Sequence, residues 1–215
     1  SRVYREVRST FVAKHREEEL GEVELIVPGA HNIKNALAVI ALGMEMEINF
    51  DTISNGLKQF SGVKRRFEIK GVFDDVMIVD DYAHHPTEVS ATLRAIKNGW
   101  DRRLVTVFQP HLYSRTQNFY EDFARSFLIS DVLIVTDVYP AREEPLAGVT
   151  GELITNMAKS MGHENVYWVE DKKQLIAAMK ALVEPGDLVI TMGAGDIWRI
   201  CDEYAAMLGK EAVKA

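Results

Sequence analysis

Asp80, Asp81, His84 and His85 place four titratable side chains within six positions of this chain. They follow the apolar run Val76-Met77-Ile78-Val79 and precede Pro86-Thr87, which open a helical pattern. Packing alone has no use for so many charges at one strand end. In an open α/β sheet, ligands bind outside the carboxyl ends of the strands. Carboxylates and imidazoles there can move protons, hold a ribose or phosphate, or ligate a metal. Two plainer or rival readings stay open. Asp80 or Asp81 caps the following turn, or the two aspartates and two histidines build the metal site of a hydrolase. Adjacent histidines point in different directions, which disfavours chelation of one ion by that pair.

Other strand-like runs end in the same way. Leu104–Phe108 is followed by Gln109, His111, Tyr113, Ser114, Arg115 and Thr116, and Val132–Thr136 by Asp137, Tyr139 and Arg142. The last run, Leu188–Thr191, leads into Gly193-Ala194-Gly195-Asp196. Convergence of these groups on one sheet edge implies a crevice. Arg115 at a helix start opposes the helix dipole, which favours placement for a ligand over placement for stability. The Gly193–Gly195 turn suits either a phosphate or tight strand-to-helix packing. Lys64-Arg65-Arg66 reads as solvated linker charge or as a phosphate contact, since guanidinium offers a planar fork.

The elements that must position these groups follow from the hydrophobic periodicity. Two alternating runs, Val3–Ala13 and Gly21–Val27, predict strands flanking a charged hairpin loop at Lys14–Glu19. Helices are predicted at Asn35–Met46, beginning near His31-Asn32, and at Phe50–Phe60 with Asp51 as N-cap. Two strands and two helices make a poor core, so residues 1–63 are expected to be the partial end of a larger domain. Beyond Gly62, strands at Phe67–Phe73, Val76–Val79, Leu104–Phe108, Val132–Thr136, Val166–Val169 and Leu188–Thr191 alternate with helices. The helices are predicted at Thr87–Asn98, Arg115–Leu128, Gly151–Met161, Lys172–Val183 and Ile197–Leu208. That alternation predicts an α/β fold for residues 64–215: a mostly parallel open, Rossmann-like sheet with helices on both faces and an edge hairpin at Asp74-Asp75.

Bulk properties narrow the partners. A 47% apolar fraction supports a buried core, and a formal charge of −7 argues against nucleic acid or an acidic membrane. Neither a secretory leader nor a bilayer-spanning apolar run is read, and the single Cys201 suits a reducing compartment, so the expectation is a cytoplasmic protein. No G-x-G-x-x-G follows an early strand, which argues against a dinucleotide-dependent dehydrogenase.

Four stretches in order, His31-Asn-Ile-Lys-Asn-Ala-Leu-Ala38, Gly62-Val-Lys-Arg-Arg-Phe-Glu68, Asp80-Asp-Tyr-Ala-His-His-Pro-Thr87 and Phe108-Gln-Pro-His-Leu-Tyr-Ser-Arg-Thr116, resemble the Mur ligases of peptidoglycan synthesis. The last stretch favours the branch that joins L-alanine to UDP-N-acetylmuramate. The resemblance implies ATP-driven amide formation through an acyl phosphate, in three domains. Residues 1–63 match the end of the central ATP-binding domain and 64–215 the C-terminal domain. No G-x-G-K-T-like phosphate loop occurs in the chain. The UDP-binding domain, the rest of the central domain and most ligands for Mg²⁺ are therefore expected elsewhere in cis, and the chain alone is expected to be inactive. The resemblance further implies that His31, Asn32 and Asn35 lie near adenine, that Arg66 reaches the nucleotide phosphates, and that Asp81 faces ribose or phosphate. His84, His85, His111 and Arg115 would line the side where amino acid and muramoyl carboxylate meet, with Arg115 holding a carboxylate. Lys64–Phe67 would be the hinge between the domains.

Overall fold

The computed structural model describes residues 8–27, 29–60 and 62–212, without the side chains of His31, Glu211 and Ala212. The chain divides into two compact units at Val63–Lys64, with residues 98–100 grouped with the first.

In the first unit, strands β1 (Ser9–His15) and β2 (Glu18–Leu25) pair antiparallel and are followed by helices α1 (Ala30–Glu45) and α2 (Phe50–Gln59). Strand alternation turns Ala13, Val23 and Leu25 inward against Ala36 and Ile40 of α1 and Ile53 and Leu57 of α2. Three expectations need correction. The hairpin loop is shorter than its charges suggested: Lys14, His15, Glu18 and Glu19 stay in the ladder, and Arg16-Glu17 alone make the turn. Helix α1 begins earlier, at Ala30. Asn49, not Asp51, caps α2, its side chain accepting a 2.8 Å hydrogen bond from the Thr52 amide; Asp51 sits in the first turn, where its charge still favours the dipole. Residues 3–7 of the first predicted strand lie outside the described residues.

The second unit is a six-stranded sheet of order β3-β4-β8-β5-β6-β7. Its strands are β3 (Glu68–Phe73), β4 (Val76–Asp81), β5 (Leu104–Phe108), β6 (Val132–Thr136), β7 (Val166–Val169) and β8 (Leu188–Met192). Only β3 runs antiparallel, as the edge hairpin with β4. Helices α3 (Pro86–Gly99), α4 (Tyr113–Phe127) and α5 (Glu152–Ser160) join β4 through β7 in one direction. A 3₁₀ turn (Lys172–Gln174) and α6 (Leu175–Leu182) return to β8, and α7 (Trp198–Ala212) packs back over β3 and β4. Right-handed crossovers running in opposite directions put α3–α5 on one face and α6–α7 on the other. Both faces are therefore covered, which is why β4, β5, β6 and β8 read as continuous apolar runs, buried at every position.

On one face Val76, Ile78, Val105, Val107, Ile134 and Val189 meet Leu175, Met179, Ile200, Cys201 and Tyr204. On the other, Phe108 lies 5.1 and 4.9 Å, ring to ring, from Phe123 and Phe127 of α4. Burying each such side chain contributes about 1.5–3 kcal/mol. Strand β8 is inserted between β4 and β5, so the crossovers diverge there. Open α/β sheets bind ligands outside the carboxyl ends of the strands at such a switch point. No described helix is long and apolar enough to cross a membrane.

Candidate active site

Strand β4 runs two residues further than its apolar run, so Asp80 and Asp81 are its last ladder positions, opposite Thr191 and Met192 of β8. Asp80 is fully buried and caps nothing. Its Oδ1 accepts from the Thr191 hydroxyl at 2.7 Å and its Oδ2 from Arg65 Nε at 3.2 Å. Arg65 then donates to the Gly193 carbonyl at 2.6 Å and to the Gly195 carbonyl at 3.2 Å. One guanidinium thus fastens the end of β4 to the turn after β8. The Arg65 backbone is held as well: its carbonyl accepts from Tyr82 N at 2.6 Å and its amide donates to Glu68 at 2.8 Å. Burial pushes the Asp80 carboxyl above its ordinary range, against the opposing pull of Thr191 and Arg65.

Asp81 does the capping. It accepts from the amides of Ala83 (2.7 Å) and Phe67 (2.8 Å), tying the chain just before β3 to the turn after β4. Burial raises its pKa to about 6 despite those two amides. Arg66 is exposed, its guanidinium 5.6 Å from the centre of the Tyr82 ring.

The Gly193–Gly195 turn is explained by close packing. Gly193 has φ +148, and a Cβ there would stand 2.7 Å from the Gln109 carbonyl; one on Gly195 would stand 2.4 Å from Gln109 Oε1. Gln109 also accepts from Ile197 N (3.1 Å) and donates to Asp196 (3.0 Å), which pairs with Lys172. The carbonyls of this turn face Arg65 and the Ile197 amide is engaged, so the turn is not an open phosphate cradle.

Beyond β5 the chain brings His111 and Arg115 up to His84 as one wall of the sheet edge. The His111 ring stacks on Tyr139 (5.6 Å, 13°) and stands edge-on to His84 at 6.0 Å. Arg115 Nη1 lies 3.5 Å from His111 Nδ1. Arg115 makes no ion pair among the described residues. Burial, then the charges of Arg115 and His84, hold the His111 imidazole below its usual pKa and so neutral near pH 7. His84 Nδ1 is 3.0 Å from the Tyr82 carbonyl and 3.1 Å from Glu88, which also accepts from the His84 and His85 amides at the start of α3.

Of the residues singled out by sequence, the fold brings His84, His111 and Arg115 together, with Asp81 and Arg66 at the neighbouring strand end. His85 is turned away, its ring 5.2 Å from Phe119. Asn32 and the exposed Asn35 lie on α1 of the first unit, and the His31 side chain lies outside the described residues. Arg65, Glu88 and Lys172 were passed over. The cluster Lys64-Arg65-Arg66 signalled the first without saying which arginine turns inward. For Mg²⁺ the donors do not fit. Both aspartates are committed to hydrogen bonds, and the described residues hold no group of three His, Cys, Asp or Glu able to bind an ion.

Residues 65–195 match the family described as Mur ligase, glutamate ligase domain. The chain is 52% identical over 194 residues to the UDP-N-acetylmuramate–L-alanine ligase of Salinibacter ruber, covering 90% of this chain and 41% of that one. It is 50% identical over 192 residues to the ligase of the same name from Geotalea uraniireducens, covering 89% and 42%. The chain therefore spans about two fifths of the length of these relatives. The crystal structure of UDP-N-acetylmuramate–alanine ligase from Thermotoga maritima superposes with a TM-score of 0.82 at 28% identity, covering 96% of this chain and 44% of that one.

Two outcomes are expected. Arg65→Ala strands the buried Asp80 charge and should destabilise the second unit by roughly 3 kcal/mol in denaturant unfolding, with Arg65→Lys restoring little because lysine lacks the fork. The Asp81 carboxyl carbon should titrate near pH 6 by NMR. Its pKa is raised on folding from the ordinary 3.8, so its contribution is present below that value and is lost as pH rises toward 6. The stability of wild type relative to Asp81→Asn should fall across that window.

Proposed function

The chain belongs to the Mur ligase family, and we propose that it is the end of the central domain plus the C-terminal domain of a cytoplasmic UDP-N-acetylmuramate–L-alanine ligase. The observation that carries this reading is its 52% identity over 194 residues to a ligase of that name. The reaction joins L-alanine to the muramoyl carboxylate in peptidoglycan precursor synthesis. A carboxylate oxygen attacks the γ-phosphorus of ATP, and ADP leaves. The L-alanine amine attacks the resulting acyl phosphate, and inorganic phosphate leaves. Little covalent work falls to the protein, so positioning and charge neutralisation carry the rate.

Arg115, which makes no ion pair among the described residues, offers a guanidinium to a carboxylate and pairs with it bidentately. His111, neutral near pH 7, can take the proton that the amino group must lose before attack. His84 completes that wall, and His85 supports it through Phe119. Arg66, exposed beside the joint, reaches the nucleotide phosphates; Asp81 faces the ribose or phosphate; His31, Asn32 and Asn35 of the first unit take the adenine. Closure over the nucleotide was expected to turn on residues 64–67. Arg65 and Phe67 are hydrogen-bonded within the second unit, which favours a pivot at the start of that stretch, near Lys64. Mg²⁺ is held by residues beyond this chain, and the chain alone does not turn over.

The test is a chimera in which this chain replaces the matching two fifths of the Salinibacter ligase. Steady-state ADP release should require both L-alanine and UDP-N-acetylmuramate, and Arg115→Ala should lower kcat/KM by about 10²-fold. Arg115→Lys should not rescue it. A folded chimera whose ATP cleavage ignores both substrates, or in which Arg115→Ala keeps normal kinetics, contradicts the assignment.

A further inference from the structure

We infer that Glu143 is a positioning residue that sets the His111–Arg115 wall by capping helix α4 from the loop after β6. The inference rests on the ligase reading only for its kinetic consequence. Helix α4 starts without a cap of its own: the residue before it, Leu112, has an apolar side chain and a left-handed φ of 72. Glu143 supplies the missing acceptor from another loop. Its Oε2 accepts from the Ser114 amide at 2.9 Å and its Oε1 from the Ser114 hydroxyl. A carboxylate at that helix end favours the dipole and offsets the unfavourable charge of Arg115, one residue on.

The rest of the loop is tied to the same segment. Tyr139 N donates to the Pro110 carbonyl at 2.8 Å, Leu112 N donates to the Tyr139 carbonyl at 3.0 Å, and the Tyr139 ring stacks on His111. Ala141 is held at φ 54, and the Glu143 amide closes the turn onto Pro140 at 2.9 Å. A strained turn maintained by these bonds aims one carboxylate at Ser114. The loop therefore fixes His111 by stacking and Arg115 by the cap.

The groups facing His111 are Arg115, His84, Arg142 and Glu143 itself. That permits a test by NMR titration of His111 in this chain, without turnover. Loss of the Glu143 charge alone, with Arg115 in place, would lower the His111 midpoint. Release of Arg115 and opening of the wall would raise it toward the ordinary value. Glu143→Ala should raise the midpoint, whereas Glu143→Gln, which still accepts from Ser114, should not. Ser114→Ala keeps both the capping amide bond and the Glu143 charge, so it should leave the midpoint close to that of wild type. In the chimera, Glu143→Ala should raise KM for the carboxylate substrate about tenfold while KM for ATP stays put, and Glu143→Gln should recover most of it. Equal downward shifts in Glu143→Ala and Glu143→Gln, or an unchanged midpoint with Glu143→Ala, overturn the inference. Expected shifts in a chimera that does not ligate would support Glu143 and count against the ligase reading instead.

Discussion

The Arg65 guanidinium is the contact on which the rest of the edge depends. It lies between a fully buried carboxylate and two carbonyls of a glycine turn, and so ties β4 to the β8–α7 connection. Breaking it would leave Asp80 buried with the Thr191 hydroxyl as its remaining partner, a state far costlier than the pair itself is worth. Because Arg65 is spent on the fold, the proposed ligand contacts fall to Arg66 and Arg115. The difference among the three arginines lies in their partners: Arg65 is engaged by a buried carboxylate and two carbonyls, Arg66 is exposed, and Arg115 makes no ion pair among the described residues.

From this clamp the site builds outward by hydrogen bonds between connections. The Gly193–Gly195 turn, pinned by Arg65, seats Gln109 through contacts too close for any side chain on those glycines. Gln109 in turn orders Asp196 and the start of α7. Its neighbour His111 is stacked by Tyr139, whose loop reaches across to α4. Each connection is held by the next, so geometry at Arg115 is set before any ligand arrives. Such preorganisation is what the proposed ligation, with little covalent chemistry for the protein to do, would demand.

Much of this was legible in the chain and some was not. Alternating apolar runs and helical periods announced a parallel sheet, and the polar residues after each run marked its carboxyl edge. The strand order was not readable, since nothing local says that β8 slips between β4 and β5. Without that order Lys172 could not be linked to Asp196. Asp80 and Asp81 looked alike in sequence, yet a one-residue step along a strand reverses the side chain, and one turns to Arg65 while the other secures Phe67 and Ala83. The same ambiguity affected Arg65 and Arg66. Asn49 lost out to Asp51 as the expected cap because both residue types suit the position and only backbone geometry separates them.

The most direct measurement is an ¹⁵N NMR titration of the arginine side chains of this chain with millimolar UDP-N-acetylmuramate. The Arg115 Nε–H resonance should move saturably while that of Arg65, already committed to Asp80 and the glycine turn, stays still. Movement of Arg65 with Arg115 silent would mean that the clamp is the ligand site, and the division of labour described above would be wrong.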